Sequence, residues 1–253
     1  MLSVRVVKIG GNEIDRPEWL AACARALVRL DPVVVVHGGG RAVSALSRRL
    51  GLPVEQRGGL RVTPPEVAEV VELVLGGPIN RQVVAALRAA GLDGVGLSGV
   101  DGGLLTARPS GEDLGHVGEI TAVRAALLES FLLAGLTPVI APMAPGVEPG
   151  PPFNVNADDA AAAIAGALGA LELLLVSDVA GVQVDGAVRP ALDAGDVETL
   201  IELGVAAEGM AAKLRAATAA LRAGARVVRI GDLRLLDDAR AGTRIFAPAV
   251  QPA

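Results

Sequence analysis

The sequence predicts an α/β fold built on a parallel sheet, and three observations support this class. A strand-like run, a glycine turn and a helix-like run occur twice within residues 2–51, which is typical of βαβ units. Hydrophobic residues make up 51% of the chain and charged residues 20%, so a substantial core can form. The length of 253 residues fits one large α/β domain or two unequal lobes.

The two opening units can be followed along the chain. Residues 2–8 are rich in β-branched side chains and end before a pair of glycines, the pattern of a buried parallel strand. Residues 18–30 place apolar side chains at helical spacing. Residues 32–40 predict a second buried strand that runs into three glycines, and residues 41–51 predict a helix that ends at a glycine.

The rest of the chain predicts further strands and two hairpins, with a soft lobe boundary near residue 170. The glycine-rich segments 54–63 and 101–120 contain short alternating stretches, and we expect both to form hairpins that cover one end of the sheet. Further strands are expected at 93–97, 137–141, 171–176 and 226–230, with helices between them.

Composition excludes several classes of protein. Aromatic residues make up 2% and the net charge is -5, which argues against a nucleic-acid surface. The mean hydropathy is +0.50, but the apolar runs 131–147 and 160–171 are interrupted or short, so no membrane span is expected. Cys23 is the single cysteine, which excludes a disulfide framework. No secretory segment precedes the first strand, and we expect a cytoplasmic protein.

Lysine is scarce in this chain. Of 23 basic residues only Lys8 and Lys213 are lysines. An ammonium group is a compact point charge on a flexible stem, whereas a guanidinium group is a wide planar fork. Two surviving lysines therefore indicate positions where arginine cannot serve, although survival by chance is an alternative.

Two glycine turns predict an anion site. The segments KIGGN (8–12) and HGGG (37–40) each follow a strand, where backbone N–H groups can converge on a phosphate. Neither turn has the dinucleotide fingerprint or the P-loop pattern, and tight strand-to-helix turns also use glycine for structure alone.

Polar residues also follow two later strands. Asn154, Asn156 and Asp158 directly precede an apolar helix, and an N-cap role accounts for only one of them. The segment LLLVSDVAGV (173–182) predicts another strand, which ends in a polar turn with Asp178 and Gly181. Lys213 lies in the first turns of a predicted helix, where the helix dipole disfavours a cation, so an anionic ligand could explain it.

These segments resemble the amino-acid kinase family, and within it the branch that phosphorylates N-acetyl-L-glutamate. The resemblance covers nearly the whole chain and includes VVKIGGN, VVVVHGGG, GLRVT, NVNADDAAAAIAGALGA, LLLVSDVAGV and EGMAAKLRAA. It implies an open three-layer αβα sandwich with a mainly parallel sheet. It also implies an N-terminal lobe (1–170) for the acyl amino acid and for dimerisation, and a C-terminal lobe (171–253) for ATP.

The resemblance also implies roles for individual residues. The catalytic group would be Lys8, Lys213 and Asp158, with the carboxylate holding both lysines beside the transferred phosphoryl group. Substrate contacts would come from Gly11, Gly39, Gly40, Arg61, Asn154 and Asn156. Nucleotide contacts would come from Asp178, Val179, Ala180, Gly181, Val182, Gln183, Val205, Ala206 and Ala207.

The implied chemistry needs no general base, because the γ-carboxylate nucleophile is already ionised at neutral pH. His37 and His116 are therefore expected to be structural. ATP would be the co-substrate and would bring Mg²⁺ with it, held largely by phosphates and water, with no metal site built by the protein alone.

The resemblance also carries finer expectations about assembly and substrate. The first strand begins at residue 2, which favours the short, homodimeric, arginine-insensitive form of the branch. Arg61 favours a free acetyl amino acid over a carrier-protein-linked aminoadipate or glutamate, the substrates of a related kinase of lysine biosynthesis. The sequence also leaves open a glutamate 5-kinase and a non-catalytic nucleotide-binding regulator.

Overall fold

Both opening strand–turn–helix units are present in the computed structural model, which describes residues 3–111, 113–206 and 208–247. The strands are β1 (Arg5–Ile9), β2 (Val33–His37), β3 (Gln56–Arg57), β4 (Leu60–Arg61), β5 (Gly94–Ser98), β6 (Leu105–Pro109), β7 (Val117–Val123), β8 (Thr137–Ala141), β9 (Met143–Ala144), β10 (Phe153–Val155), β11 (Glu172–Val176), β12 (Gln183–Val184), β13 (Ala187–Val188), β14 (Ala191–Asp193), β15 (Val228–Gly231) and β16 (Thr243–Phe246). The α-helices are α1 (Gly11–Ile14), α2 (Pro17–Leu27), α3 (Gly40–Arg49), α4 (Pro65–Val74), α5 (Asn80–Ala89), α6 (Ala125–Leu133), α7 (Ala157–Ala167), α8 (Ala194–Glu202) and α9 (Glu208–Arg222).

Eight strands form the main sheet, in the order β14-β16-β15-β11-β1-β2-β8-β5. Among the neighbouring strand pairs described in this sheet, only the pair β15–β16 is antiparallel, and all the others are parallel. β1 lies between β11 and β2, with Ile9 beside Val176 and His37. The chain moves to one side of β1 through β2 and to the other side through β11, so the sheet has a topological switch point at β1. Ligands of open α/β sheets bind outside the strand ends at such a point.

Helices cover both faces of this sheet. Along β1, Val6 packs into one buried cluster with residues of α6, α7, α8 and α9, whereas Val7 and Ile9 pack into the opposite cluster with α2, α4 and α5. Side chains of a strand alternate between its faces, so a strand buried on both sides is apolar at most of its positions. The fold is therefore a three-layer αβα sandwich, as the resemblance implied.

Close packing of α7 against β1 and α9 brings distant parts of the sequence together. α7 is rich in alanine, and Ala160, Ala161, Ile164 and Ala165 are all buried. At Gly166 an added Cβ would collide with Ala223, the residue that follows α9, so α7 and the end of α9 approach each other through backbone and methyl groups. Because Lys8 is two residues after Val6, its side chain lies on the α7 face of the sheet.

The smaller strand pairs lie around the main sheet. The two predicted hairpins are both present, as β3–β4 and β6–β7. β7 also pairs with β10, which leads directly into α7. A bridge between Thr63 and Gly115 links the chain just after β4 to the loop before β7.

One helical run has the length and the apolar composition of a membrane span. Residues Pro65–Ala89 contain an 18-residue window with a mean hydropathy of 1.3, although no span was expected from the sequence. A single run of this kind is weak evidence for a span, because core helices of soluble proteins can have the same length and composition, and 44% of this window is buried inside the protein. The run is also interrupted, since Gly77 has non-helical backbone angles and is followed by Pro78. We therefore interpret it as a pair of core helices.

Candidate active site

The carboxyl ends of β1, β2 and β11 open into a cavity of about 270 Å³. Ten residues singled out from the sequence line this cavity, although they come from distant parts of the chain. They are Lys8, Gly11, Gly39, Gly40, Arg61, Asn154, Asn156, Asp158, Asp178 and Lys213.

A buried carboxylate joins the two lysines at the floor of this cavity. Lys8 Nζ lies 3.0 Å from Asp158 Oδ1, and Lys213 Nζ donates a hydrogen bond of 3.0 Å to Asp158 Oδ2. The three side chains are 8%, 15% and 7% exposed for Lys8, Lys213 and Asp158. Two cations therefore share one carboxylate, and the net positive charge favours an anionic ligand.

The charges of this group depend on one another. Burial alone would raise the pKa of Asp158, but Lys8 and Lys213 outweigh it and hold that pKa below its usual range. Burial lowers the pKa of Lys8, and the attraction of Asp158 offsets only part of this effect. Asp158 also explains why a cation is tolerated in the second turn of α9, so a ligand is not required for that purpose alone.

The two glycine turns contact each other beside the lysines. A Cβ at Gly11 would lie 2.9 Å from the Cα of Gly39, so a larger residue at Gly11 would push the turns apart. Gly39 is the N-cap of α3 and Gly40 is its first residue. The first N–H groups of a helix have no partner within it and can donate to an anion.

Arg61 lies at the end of the cavity next to α3. Its Nη2 donates hydrogen bonds to the carbonyl of Gly40 (2.8 Å) and to Ser44 Oγ (2.7 Å). Its Nη1 is buried and has no hydrogen-bond partner among the described residues. A fixed guanidinium group with a buried free donor is suited to binding a carboxylate.

The two asparagines of the NVNAD segment are held in different ways. Asn156 is the N-cap of α7 and accepts hydrogen bonds from the backbone N–H groups of Asp158 and Asp159. Asn154 Nδ2 donates to Thr63 Oγ1 (3.1 Å), and that hydroxyl donates to the carbonyl of Arg61. Since Asn154 uses its amino group on Thr63, its amide oxygen remains as an acceptor.

His37 lies under the second glycine turn and is fully buried. Its Nε2 accepts a hydrogen bond from Asn80 Nδ2 (3.1 Å), and its Nδ1 lies 2.9 Å from the carbonyl of Gly38. This arrangement fits a neutral ring, and burial lowers the pKa of His37 to about 4. The ring is a structural group at neutral pH, as expected from the sequence.

The cavity does not include every residue expected to contact a nucleotide. Val182 is buried in the core, and its N–H donates to Thr243 Oγ1. Val205 and Ala206 lie between α8 and α9, and Ala207 lies outside the described residues. Of the positions described, those outside the lining are Val179, Ala180, Gly181, Val182, Gln183, Val205 and Ala206. Their nucleotide contacts stay predictions.

Sequence reasoning did not single out three polar residues at this site. Thr63 is fully buried and connects Arg61 with Asn154. Glu13 and Ser177 line the cavity at 6% exposure each. Glu13 directly follows the first glycine turn and Ser177 precedes Asp178, so closeness to these motifs was the available signal.

Comparison with known proteins shows that the sequence matches one protein family over most of its length. The profile of the "Amino acid kinase family" matches residues 3–232. An acetylglutamate kinase of Chloroflexus aurantiacus is 49% identical over 248 residues, covering 96% of this chain and 97% of the relative.

Solved structures show the same architecture. The protein smu.665 of Streptococcus mutans superposes with a TM-score of 0.83 at 30% identity, covering 97% of this chain and 99% of that one. An N-acetylglutamate synthase of Neisseria gonorrhoeae, solved with coenzyme A and N-acetyl-glutamate, gives a TM-score of 0.85 at 26% identity. The match covers 98% of this chain and 60% of the synthase.

Proposed function

Because this chain belongs to the amino-acid kinase family, we propose that its cleft transfers the terminal phosphoryl group of ATP to the side-chain carboxylate of N-acetyl-L-glutamate. The protein is a phosphotransferase of arginine biosynthesis. The observation that carries the proposed chemistry is the buried pair of lysines on a single carboxylate beside two glycine turns. This arrangement leaves positive charge and free N–H donors where a phosphoryl group would bind.

The nucleophile is the γ-carboxylate of the substrate. The pKa of a glutamate side chain in water is about 4.3, so this group is ionised at neutral pH and no residue has to remove a proton. One carboxylate oxygen attacks the γ-phosphorus of ATP, and the bond from that phosphorus to the bridging oxygen breaks. ADP leaves with the electron pair, and the product is an acyl phosphate. The barrier therefore lies in bringing two anions together and stabilising the charge in transfer.

The lysines address this barrier from two sides of the cleft. Lys8 comes from the central strand and Lys213 from α9, and Asp158 holds one on each of its oxygens. Asp158 is thus a positioning residue, whereas the two ammonium groups contact the phosphoryl oxygens. Backbone N–H groups at Gly11, Gly39 and Gly40 add donors that require no rearrangement during the reaction.

The substrate lies against the end of the cleft that contains Arg61. Its α-carboxylate accepts from the free Nη1 of Arg61, and its acetamido N–H donates to the amide oxygen of Asn154. Asn156 supports this segment as the cap of α7. A site of this kind favours N-acetyl-L-glutamate over free glutamate, whose ammonium group would have to lie beside a buried arginine.

ATP lies toward the β11 side of the cleft, beside the turn that begins at Asp178. The segment from Asp178 to Gln183 and the segment from Val205 to Ala207 contact the nucleotide in this proposal. Mg²⁺ enters with ATP and neutralises phosphate charge when bound. Among the described residues, no group of three or more His, Cys, Asp and Glu could hold a metal by itself.

Three further proposals concern organisation. The lobe 1–170 binds the acyl amino acid and forms the dimer, and the lobe 171–253 binds ATP. The chain acts as a cytoplasmic homodimer, and arginine does not inhibit it. Light scattering that shows a monomer or hexamer, or inhibition by arginine, would contradict these proposals without affecting the chemistry.

The test of the proposed function is a substrate panel. ADP release is followed with N-acetyl-L-glutamate, L-glutamate, L-aspartate and aminoadipate as acceptors, and hydroxylamine traps any acyl phosphate as a hydroxamate. We expect ADP and hydroxamate in equal amounts with N-acetyl-L-glutamate and little of either with the others. Comparable or higher rates with a free amino acid would refute the assignment.

A further inference from the structure

Glu13 is a buried carboxylate in the cleft to which the proposed reaction gives no role. It lies in the short helix after the first glycine turn and is 6% exposed. No side chain of another described residue forms an ion pair or hydrogen bond with it. Burial and the nearby Asp178 both raise the pKa of Glu13. Its carboxylate has a hydrogen bond from its own backbone N–H but no ion-pair partner among the described residues. A buried carboxylate without a counter-charge is costly, so a cation beside it would stabilise the folded protein.

A buried polar group without a hydrogen-bond partner in the described part of the chain lies close to Glu13. Ser177 Oγ is buried and makes no hydrogen bond to any described residue. Glu13 and Ser177 both lie beside Gly10. A Cβ built there would lie 2.8 Å from Glu13 Oε2 and 3.7 Å from the Cα of Ser177. Both residues, together with the following Asp178, line the cavity.

We propose that Glu13, Ser177 and Asp178 hold the water shell of the Mg²⁺ ion that enters with ATP. This inference rests on the proposed function and goes further, because it assigns residues of this chain to the metal. Mg²⁺ prefers oxygen ligands, keeps several of its waters and is bound through one or two carboxylates together with substrate phosphates. The site becomes complete only when the nucleotide supplies its phosphates.

The charge balance of the cleft supports this assignment. Apart from Arg61 at the substrate end, the charged side chains of the lining are two lysines and three carboxylates. Lys8, Lys213 and Asp158 together leave one positive charge for the phosphoryl group. Glu13 and Asp178 add two carboxylates to the same lining, and a divalent cation would neutralise their charge. The same arrangement favours the magnesium complex of ATP, in which the cation faces the carboxylates while the lysines face the phosphoryl oxygens.

The test measures nucleotide binding by calorimetry, independently of turnover. Binding of ADP is measured with excess Mg²⁺ and with EDTA, for the wild-type protein, Glu13→Gln and Ser177→Ala. Glu18→Gln is the matched control, because it makes the same change at an exposed position outside the cavity. Melting temperatures and binding of N-acetyl-L-glutamate report whether each variant is folded. Electron paramagnetic resonance with Mn²⁺ and ADP follows the metal directly.

We expect wild-type protein to bind ADP more tightly with Mg²⁺ than with EDTA. The ratio of these two affinities should be about tenfold smaller in Glu13→Gln, because losing an outer-shell partner weakens metal binding by that order. Ser177→Ala should show a smaller reduction, Glu18→Gln none, and bound Mn²⁺ should be lost from the Glu13 variant first. A folded Glu13→Gln that keeps the full preference for Mg²⁺ overturns the metal proposal and leaves the proposed function intact. A wild-type protein that binds neither form of ADP contradicts both.

Discussion

Asp158 is the side chain on which both lysines depend, and Asp158→Asn tests the proposed mechanism most directly. The change keeps the shape of the side chain and removes its charge. Two ion pairs of 3.0 Å are then lost, and two largely buried ammonium groups remain without a counter-charge. Breaking a buried pair costs about 3–5 kcal/mol, so the melting temperature should fall as well as the rate.

The effect on turnover follows from the loss of position. Removing one well-placed electrostatic contact costs about 10²–10³ in kcat, and Asp158→Asn displaces the partners of two such contacts. A double-mutant cycle with Lys213→Met should be clearly less than additive, because both changes disrupt the same unit.

A change in pH dependence separates this mechanism from simple destabilisation. Lys8 acts as an ammonium group, burial lowers its pKa, and Asp158 raises it in part. Without Asp158 that pKa falls further, so the loss of kcat on raising the pH should begin at a lower pH than in the wild-type protein. The assay is ADP release across the pH range below the melting temperature of each variant.

The matched control is Asp113→Asn, which makes the same change at an exposed position outside the cavity. It should leave kcat near the wild-type value. A folded Asp158→Asn with kcat within about threefold of wild type, or with an unchanged alkaline limb, would refute the reasoning.

Three other predictions concern the substrate end and the core. Arg61→Lys should raise the KM for N-acetyl-L-glutamate by about 10- to 150-fold and leave that for ATP unchanged, whereas equal losses would indicate a role in folding. Thr63→Val removes the hydrogen-bond partner of Asn154, so the KM for N-acetyl-L-glutamate should rise roughly fivefold and the ratio of its kcat/KM to that of glutamate should fall. Thr63→Ser keeps the hydroxyl and should stay close to wild type. His37 has a pKa of about 4 when folded and about 6.5 when unfolded, so the unfolded state takes up its proton first as the pH falls. Between about pH 6.5 and 4, the free energy of unfolding should therefore fall further in the wild-type protein than in His37→Gln, by on the order of 3 kcal/mol. Urea titrations at several pH values measure this, and an equal fall in both proteins would contradict the prediction.

Local sequence patterns were sufficient to predict the elements that position the site. The run of valines in β2 predicts a strand buried on both faces, because the side chains of a strand alternate and each face needs an apolar partner. Strands expected at 137–141 and 171–176 are observed at Thr137–Ala141 and Glu172–Val176. Glycine pairs and the asparagine cap also act locally, so their positions predict the turns around the cleft.

Rarity and resemblance together indicated the candidate catalytic group. Two lysines among 23 basic residues drew attention to Lys8 and Lys213, but composition says nothing about their partner. Their separation in the sequence is large, and only the packing of α7 between β1 and α9 brings Asp158 within 3.0 Å of both.

Tertiary structure alone decided the environments of Glu13, Ser177 and Thr63. Glutamate, serine and threonine are common surface residues, so their types carry no signal of a site. Their burial depends on strands that meet from distant parts of the chain, as where β1 pairs with β11 and Thr63 bridges to Gly115. The sequence by itself determined which local elements form and where their turns lie. The burial of Glu13, the unpaired oxygen of Ser177 and the hydrogen bond from Asn154 to Thr63 exist only once those elements are packed, because desolvation and long-range contacts are properties of the folded chain.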